Sequence, residues 1–579
     1  MARSHLPLTL VVLVVARIAS AAPDKAPPAP VPVPPSTGKE LAQTRVVLPA
    51  EAQADIARRL IDKADCSGHV AQLSTALDVA GERLTPDERI RGYVLLQQCA
   101  RDNKSWHTLI AAAAYLLVHA PTRTNAEDVI EAYLKLGDDR HAAEMLKLIV
   151  KGFPAQRANM TIAASLIACH KSDFQRCFNA SGKMLDVLAR DKATSRKATF
   201  ENQIFHAFSA AALGKYDVYD AEMKKVDAVL AGTRADPGKL DAFRTIVESA
   251  RAARLFIDTD HTSELALGTY HLIAGGKIKN LDNADALVTL RLINQEPRLR
   301  TVTVTVEVPG VTDAATETIS LPPGKQVNRR MSPPLKIGFD VARLRTARAS
   351  QIALHIVDPR THASLLDQVL PIQILPRDSL PLHRRTGADD MRPTFDYAAA
   401  WVTPNAPEID AFITRAKARL TGGFSGMQRD TLPQVKALFD ELKAHGVTYV
   451  EDPRIFDERG QVQRTRLPAE VLASTNAQCL EGTLLYASLL EAIGMHPVLV
   501  FKTGHAFLAW RPSKYDRTRS PFYFLETTMT GGPATFEQAM EYATKTFVQT
   551  AAERQFELGI GALLDITELR LKGYTAQPY

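Results

Sequence analysis

The period of the hydrophobic pattern changes twice along this chain, and each change restricts what the next stretch can fold into. Up to about residue 256 the apolar side chains recur at helical spacing. Val129, Tyr133 and Leu136 do so, and after the Gly137-Asp138-Asp139 break Ala142, Leu146, Ile149 and Val150 resume it. From 257 to 378 apolar and polar residues alternate, as in Ala286–Ile293 (ALVTLRLI) and Thr301–Val308 (TVTVTVEV). From 379 onward both periods occur in turn. With 579 residues the chain has room for three or four domains. The expected order is an α-helical repeat-like domain over 46–256, an antiparallel β-sandwich over 257–378 and an α+β domain over 379–579.

Two N-terminal segments stand outside this scheme. Met1–His5 carries Arg3, Leu6–Ala16 is an apolar run too short to span a bilayer comfortably, and Ala19-Ser20-Ala21 is a small-x-small site. Residues 1–21 therefore read as a secretory signal cleaved near Ala21, and the chain is expected to be secreted or periplasmic, with no integral membrane span after cleavage. No cysteine stands at the cleavage point, so a lipoprotein-type anchor is not indicated. Residues 22–45 are a linker whose proline-rich part, 22–36 (APDKAPPAPVPVPPS), favours extended conformation over a core. A composition of 46% hydrophobic and 23% charged residues excludes a wholly disordered chain and a multi-span membrane protein. The net charge of +6 comes without a basic block, so no nucleic-acid partner is expected.

In the helical region, Leu213-Gly214-Lys215-Tyr216 marks a turn between Ile204–Ala212 and Val218–Leu230, and His170–Asp173 marks another. The pattern resembles an irregular tetratricopeptide-type (TPR-like) stack; a plain helical bundle fits it equally. A stack would offer a concave face to a protein partner. In the β region, Ile352–Val357 and Val369–Leu375 add strands, and Gly275-Gly276, Pro309-Gly310 and Pro322-Pro323-Gly324 add turns. Together they resemble an immunoglobulin-like sandwich, by default a spacer or adhesion module. Residues 379–395 read as a polar linker. Beyond it Pro407–Leu420 and Leu432–His445 read as helices, and Thr448–Arg464 as an irregular loop or hairpin turning at Gly460.

The five cysteines are Cys66, Cys99, Cys169, Cys177 and Cys479. In an oxidising compartment an odd count leaves at least one unpaired. Cys169 with Cys177 and Cys66 with Cys99 are two possible pairings, although connectivity does not follow from sequence. That scheme leaves Cys479 as the free thiol.

Cys479 opens the apolar run CLEGTLLYASLLEAIG, which has helical spacing and a natural stop at Gly494. A thiol in the first turn of a helix is expected to have its pKa lowered by the dipole, and free N–H groups there can receive an oxyanion. Three strands follow: Pro497–Phe501, His505–Trp510 and Phe522–Thr527. On a period of two, His505, Phe507 and Ala509 share one face, as do Phe522, Phe524 and Glu526. If these strands are neighbours, His505 and Glu526 lie side by side facing the Cys479 helix. That order is nucleophile, base and orienting carboxylate.

The stretch resembles the transglutaminase-like superfamily of papain-type fold. The resemblance rests on Cys479 at a helix start, Gly504-His505-Ala506-Phe507 and Leu525-Glu526-Thr527-Thr528. It is closer to the transglutaminase-like module of bacterial helicase-related proteins, through Trp401-Val402-Thr403-Pro404-Asn405, Cys479-Leu480-Glu481 and Leu489–Gly494, and covers roughly 397–530. No helicase portion is visible. The resemblance implies a triad of Cys479, His505 and Glu526, acting on amide bonds of a protein or peptide substrate through a thioester. Glu526 replaces the family's usual Asp, and Leu480 replaces a common aromatic residue. Gln478 is a candidate oxyanion donor. No His-Glu-x-x-His, paired Cys-x-x-Cys, EF-hand loop or phosphate-binding glycine loop is present, so no metal or cofactor is expected. The rival expectation is a non-catalytic assembly or cell-envelope scaffold with an inactive transglutaminase-like fold.

Overall fold

The structure, a computed structural model, describes residues 50–578 except 65–69, 136–138, 153–166, 168, 170–172, 191–195, 232–239, 275–277, 279–285, 386–390, 451–461, 503, 514–520, 553–554 and 557–560. The chain is mixed α/β with several sheets. The signal and linker expected over 1–45, Cys66 and the Gly137-Asp138 break lie outside the described residues.

Helices run in sequence from Ala50–Lys63 to Asp241–Ala253, and they pack on their neighbours in sequence from Ala50–Lys63 through Asp139–Gly152 and from Phe174–Arg190 through Tyr216–Ala231. Pro86–Asp102 shows why such segments start where they do. Thr85 accepts from the Glu88 N–H, Glu88 accepts from the Thr85 N–H at 2.7 Å, and Pro86 occupies the first turn. The turn expected at Gly214 joins Arg196–Ala212 to Tyr216–Ala231, with Gly214 at φ +74°. Cys169 and Cys177 are disulfide-bonded, and Cys99 is disulfide-bonded as well. Cys479 is a free cysteine.

Eight strands follow: β1 (Leu255–His261), β2 (Glu264–Ala266), β3 (Val288–Asn294), β4 (Arg300–Glu307), β5 (Ala315–Leu321), β6 (Gln326–Met331), β7 (Arg348–Val357) and β8 (Ser364–Leu375). They form a three-stranded sheet, β1-β3-β6, and a five-stranded sheet, β2-β8-β7-β4-β5, antiparallel except for the β2–β8 pair. Alternation in β4 sends Val302, Val304 and Val306 inward, where they share a core with Leu290 and Leu292 of β3. β3 is buried on both faces. Its other face, with Phe256 of β1, meets Phe208 and Phe243 of the helical region. That same face carries a buried ion pair, Asp258 to Arg291 at 2.6 Å.

Gln295, just after β3, ties the helices down. It accepts from the Tyr216 hydroxyl at 2.6 Å and donates to the carbonyls of Ala211 and Ala212. The core also continues into the C-terminal part through Tyr270, Tyr397 and Trp401. Gly268 sits where a Cβ would collide with the Arg377 carbonyl and the Trp401 ring, so the close approach needs glycine.

The 379–395 segment differs from the polar linker expected. Ser379–Pro381 is a buried strand paired antiparallel with Val462–Arg464, and Leu380 and Leu382 enter the core. Its two apolar side chains stand between prolines and arginines, which hid a strand of only three residues. Within the expected Thr448–Arg464 loop, Thr448–Tyr449 pairs in parallel with Asn476–Ala477, and Gly460 lies outside the described residues. Pro407–Ala416 and Thr431–His445 are helical near the expected positions.

The C-terminal sheet has the order Tyr523–Leu525, His505–Trp510, Pro497–Lys502, Ala562–Asp565, all antiparallel. The helix Cys479–Ala492 packs on one face and Phe536–Ala552 on the other. Trp401 donates to the Thr465 carbonyl at 2.9 Å, and the Thr403 N–H donates to Ser488 on the Cys479 helix. Arg570 spans the end of that helix, binding Glu491 and the carbonyls of Ala399 and Val402. Among the described residues no helix is long and apolar enough to cross a membrane.

Candidate active site

The helix Cys479–Ala492 is enclosed on every side, and Leu480 to Leu490 are all buried. Such a helix cannot slide without exposing core, so its first residue is held in place. Polar contacts fix the same end. Glu481, 1% exposed, accepts from the Gln478 N–H at 3.1 Å and binds Arg466 with both carboxylate oxygens, at 2.9 and 2.6 Å. Arg466 also reaches Ser474 and Asn476. Cys479 is left partly exposed at the tip.

His505 begins its strand directly after Gly504, whose φ of +71° makes the turn. Its Nε2 meets Glu526 Oε2 at 2.8 Å, and the side chain of Cys479 lies near enough to the ring to raise its affinity for a proton. With Nε2 taken by Glu526, Nδ1 is the nitrogen left for sulfur. Glu526, 1% exposed, follows the strand Tyr523–Leu525. Its Oε1 accepts from the N–H of Thr528 at 3.2 Å and from the Thr528 hydroxyl at 2.7 Å. Every oxygen of the buried acid is thus engaged, and the longer Glu side chain reaches the imidazole.

The structure therefore brings Cys479, His505 and Glu526 together, but not by the route expected. The row of His505, Phe507, Phe524 and Glu526 exists, with the His505 ring 6.1 Å from that of Phe507. Its interior faces away from the Cys479 helix. Phe507, Ala509 and Phe524 pack with Ala543 of Phe536–Ala552, while Ala506, Leu508, Trp510 and Leu525 meet the Cys479 side. His505 and Glu526 reach the thiol because they lie at the ends of their strands, beside the helix tip.

Burial alone would keep the His505 ring neutral, but the hydrogen bonds and charges of Cys479 and Glu526 outweigh it and push the imidazole up to about 9. A proton held more tightly in the folded state stabilises it fully below the ordinary value of 6.5; that contribution fades as pH rises through about 9. The same shift keeps a proton donor beside the thiol at neutral pH. Glu526→Gln removes one of the two groups raising it. The alkaline limb of any reaction needing that proton is expected to move down by about 1–2 pH units, read from a pH–rate profile. An unmoved limb would show that Glu526 does not set it.

Gln478 is buried, and its carboxamide oxygen accepts from Gln463 Nε2 at 3.3 Å, which leaves its own NH2 as the donating end. Sequence reasoning missed Gln463, Thr528 and Arg466, all of which orient the site residues. The acid followed by hydroxyls in Glu526-Thr527-Thr528 was the available signal for Thr528. Among the described residues no group of three or more His, Cys, Asp or Glu side chains is arranged to hold a metal ion. No family model matches this chain, and no curated protein or solved structure matches it.

Proposed function

We propose that this chain is an exported, transglutaminase-like cysteine enzyme that acts on amide bonds through a thioester, with a papain-type domain over 379–579. The observation that carries the reading is the row from the helix-tip Cys479 through His505, which is hydrogen-bonded to the buried Glu526. In this reading the thiol proton of Cys479 passes to His505, and Sγ attacks the amide carbonyl and forms a C–S bond. His505 passes its proton to the nitrogen as the C–N bond breaks, releasing an amine. Water then attacks the thioester while His505 takes one of its protons. The C–S bond breaks, the sulfur leaves as thiolate, and a carboxylic acid departs. An amine in place of water gives transamidation. Hydrolysis is favoured here, since no acceptor-binding feature is readable. Gln478 and the N–H groups of the helix start are the oxyanion donors of this scheme.

The helical region serves, in the same reading, as a TPR-like docking surface for a protein partner, and the β region as an immunoglobulin-like sandwich. Packing of successive helices and two sheets sharing one core support these assignments. Export is supported by the signal pattern of residues 1–21 and by the Cys169–Cys177 disulfide. The test is intact-mass spectrometry after incubation with a panel of unfolded proteins and peptides. An acyl adduct on Cys479 that hydroxylamine removes, absent in Cys479→Ser, is expected. No adduct and no cleavage with any of the panel would leave a non-catalytic scaffold.

A further inference from the structure

We infer that Thr483 is a positioning residue whose single buried hydroxyl holds nucleophile, base and acid in register; the inference rests on the acyl-transfer reading above. Thr483 lies one helical turn after Cys479 and is fully buried. Its Oγ1 stands 2.7 Å from the Cys479 carbonyl oxygen, 3.2 Å from that of Ala506 and 3.3 Å from Oγ1 of Thr527. These atoms belong to the nucleophile itself, to the neighbour of His505 and to the neighbour of Glu526. Thr527 Oγ1 also reaches the Cys479 carbonyl, at 3.5 Å.

A helical Ser or Thr that donates to the carbonyl four residues back is ordinary. Ser488, Thr544 and Thr550 make that bond on their own helices. Thr483 differs because the same oxygen meets two other elements of the chain. A hydroxyl has one proton and two lone pairs. Thr483 can share its one proton between the two carbonyls and accept from Thr527, so one buried group touches all three elements, alongside the Thr527–Cys479 and His505–Glu526 hydrogen bonds. Gly482 allows the approach. A Cβ there would stand 3.2 Å from Oγ1 of Thr527, closer than an ordinary contact.

The consequence concerns geometry more than stability. Cys479 sits on a helix tip, His505 at a strand start and Glu526 before a turn, so a small relative shift separates sulfur from ring. Displacements on the order of 1 Å can cost about 10²-fold in rate. Thr483→Val keeps the shape and removes the hydroxyl, and Thr483→Ser keeps the hydroxyl.

The experiment measures the iodoacetamide alkylation rate of Cys479 against pH in the full-length wild type and in the Thr483→Val, Thr483→Ser and His505→Ala variants, with thermal unfolding alongside. Thr483→Val is expected to slow alkylation about 10-fold or more near pH 7 and to move the pH profile, and Thr483→Ser to stay within about 3-fold of wild type. If Thr483→Val fails to fold, Thr527→Val tests the same junction from the acid side, and a shifted profile is again expected. A wild-type profile in the valine variant, with His505→Ala slow, overturns the inference and leaves the acyl-transfer reading standing. Equal rates in wild type and His505→Ala overturn that reading, and this inference with it.

Discussion

Replacing His505 by Ala is expected to slow alkylation of Cys479 by iodoacetamide about 10²–10³-fold near pH 7, the scale of a lost proton-transfer partner. The expectation follows from the ring's place between the thiol and a carboxylate that is itself almost wholly buried. With the imidazole gone, nothing among the contacts described at the helix tip takes a proton from sulfur. Reaction would then depend on ionisation of an ordinary thiol, which needs pH above about 8. His505→Ala also leaves Glu526 with only the Thr528 donors, so some loss of stability is expected. His505→Gln separates the two effects. Its amide can still donate to Glu526, but it is not a base, so the fold should hold and the slow alkylation should remain. A His505→Gln variant that reacts like wild type would contradict the assigned role.

The second large effect is expected far from the site. Arg291 and Asp258 face each other on β3 and β1, with side chains 6% and 2% exposed, and their Nε–Oδ2 distance is 2.6 Å. Burial works against the charge of Arg291, and the carboxylates of Asp258 and Asp260 overcome it and hold the guanidinium charged. Arg291→Met leaves Asp258 buried without its cation and is expected to destabilise the chain by about 3–5 kcal/mol, seen as a lower midpoint in chemical or thermal unfolding. A pair replaced on both sides need not be costly. Asp258→Leu with Arg291→Met should recover most of the loss, because neither residue then carries a buried charge. The lesion should spread to the helices, since Phe256 and Ile293 on the same face pack with Phe208 and Phe243. A change below about 1 kcal/mol in the single variant would show that Asp258 finds another partner or takes up a proton.

Much of the arrangement was readable before any coordinates. Period two in TVTVTVEV correctly separated the inward Val302, Val304 and Val306 from the outward threonines. Gly494 and the apolar run bounded the helix Cys479–Ala492 within two residues. Other features lay beyond a one-dimensional pattern. β3 is buried on both faces, so alternation on it reports two cores rather than core and solvent. Leu380 lies on a strand too short to show a period. Period two gives the face that His505 shares with Phe507 and Phe524, but not the helix beneath it. Which of two helices covers which face depends on chain crossings that spacing does not encode.

The most direct test of the account is a titration of the His505 ring by NMR, with histidine isotopically labelled at Cε1, in the wild type and in Cys479→Ala. The account predicts a wild-type pKa pushed up to about 9 and a clearly lower value once the sulfur is gone. A ring that titrates near 6.5 in both proteins would mean that thiol and imidazole are not joined, and would contradict the central claim.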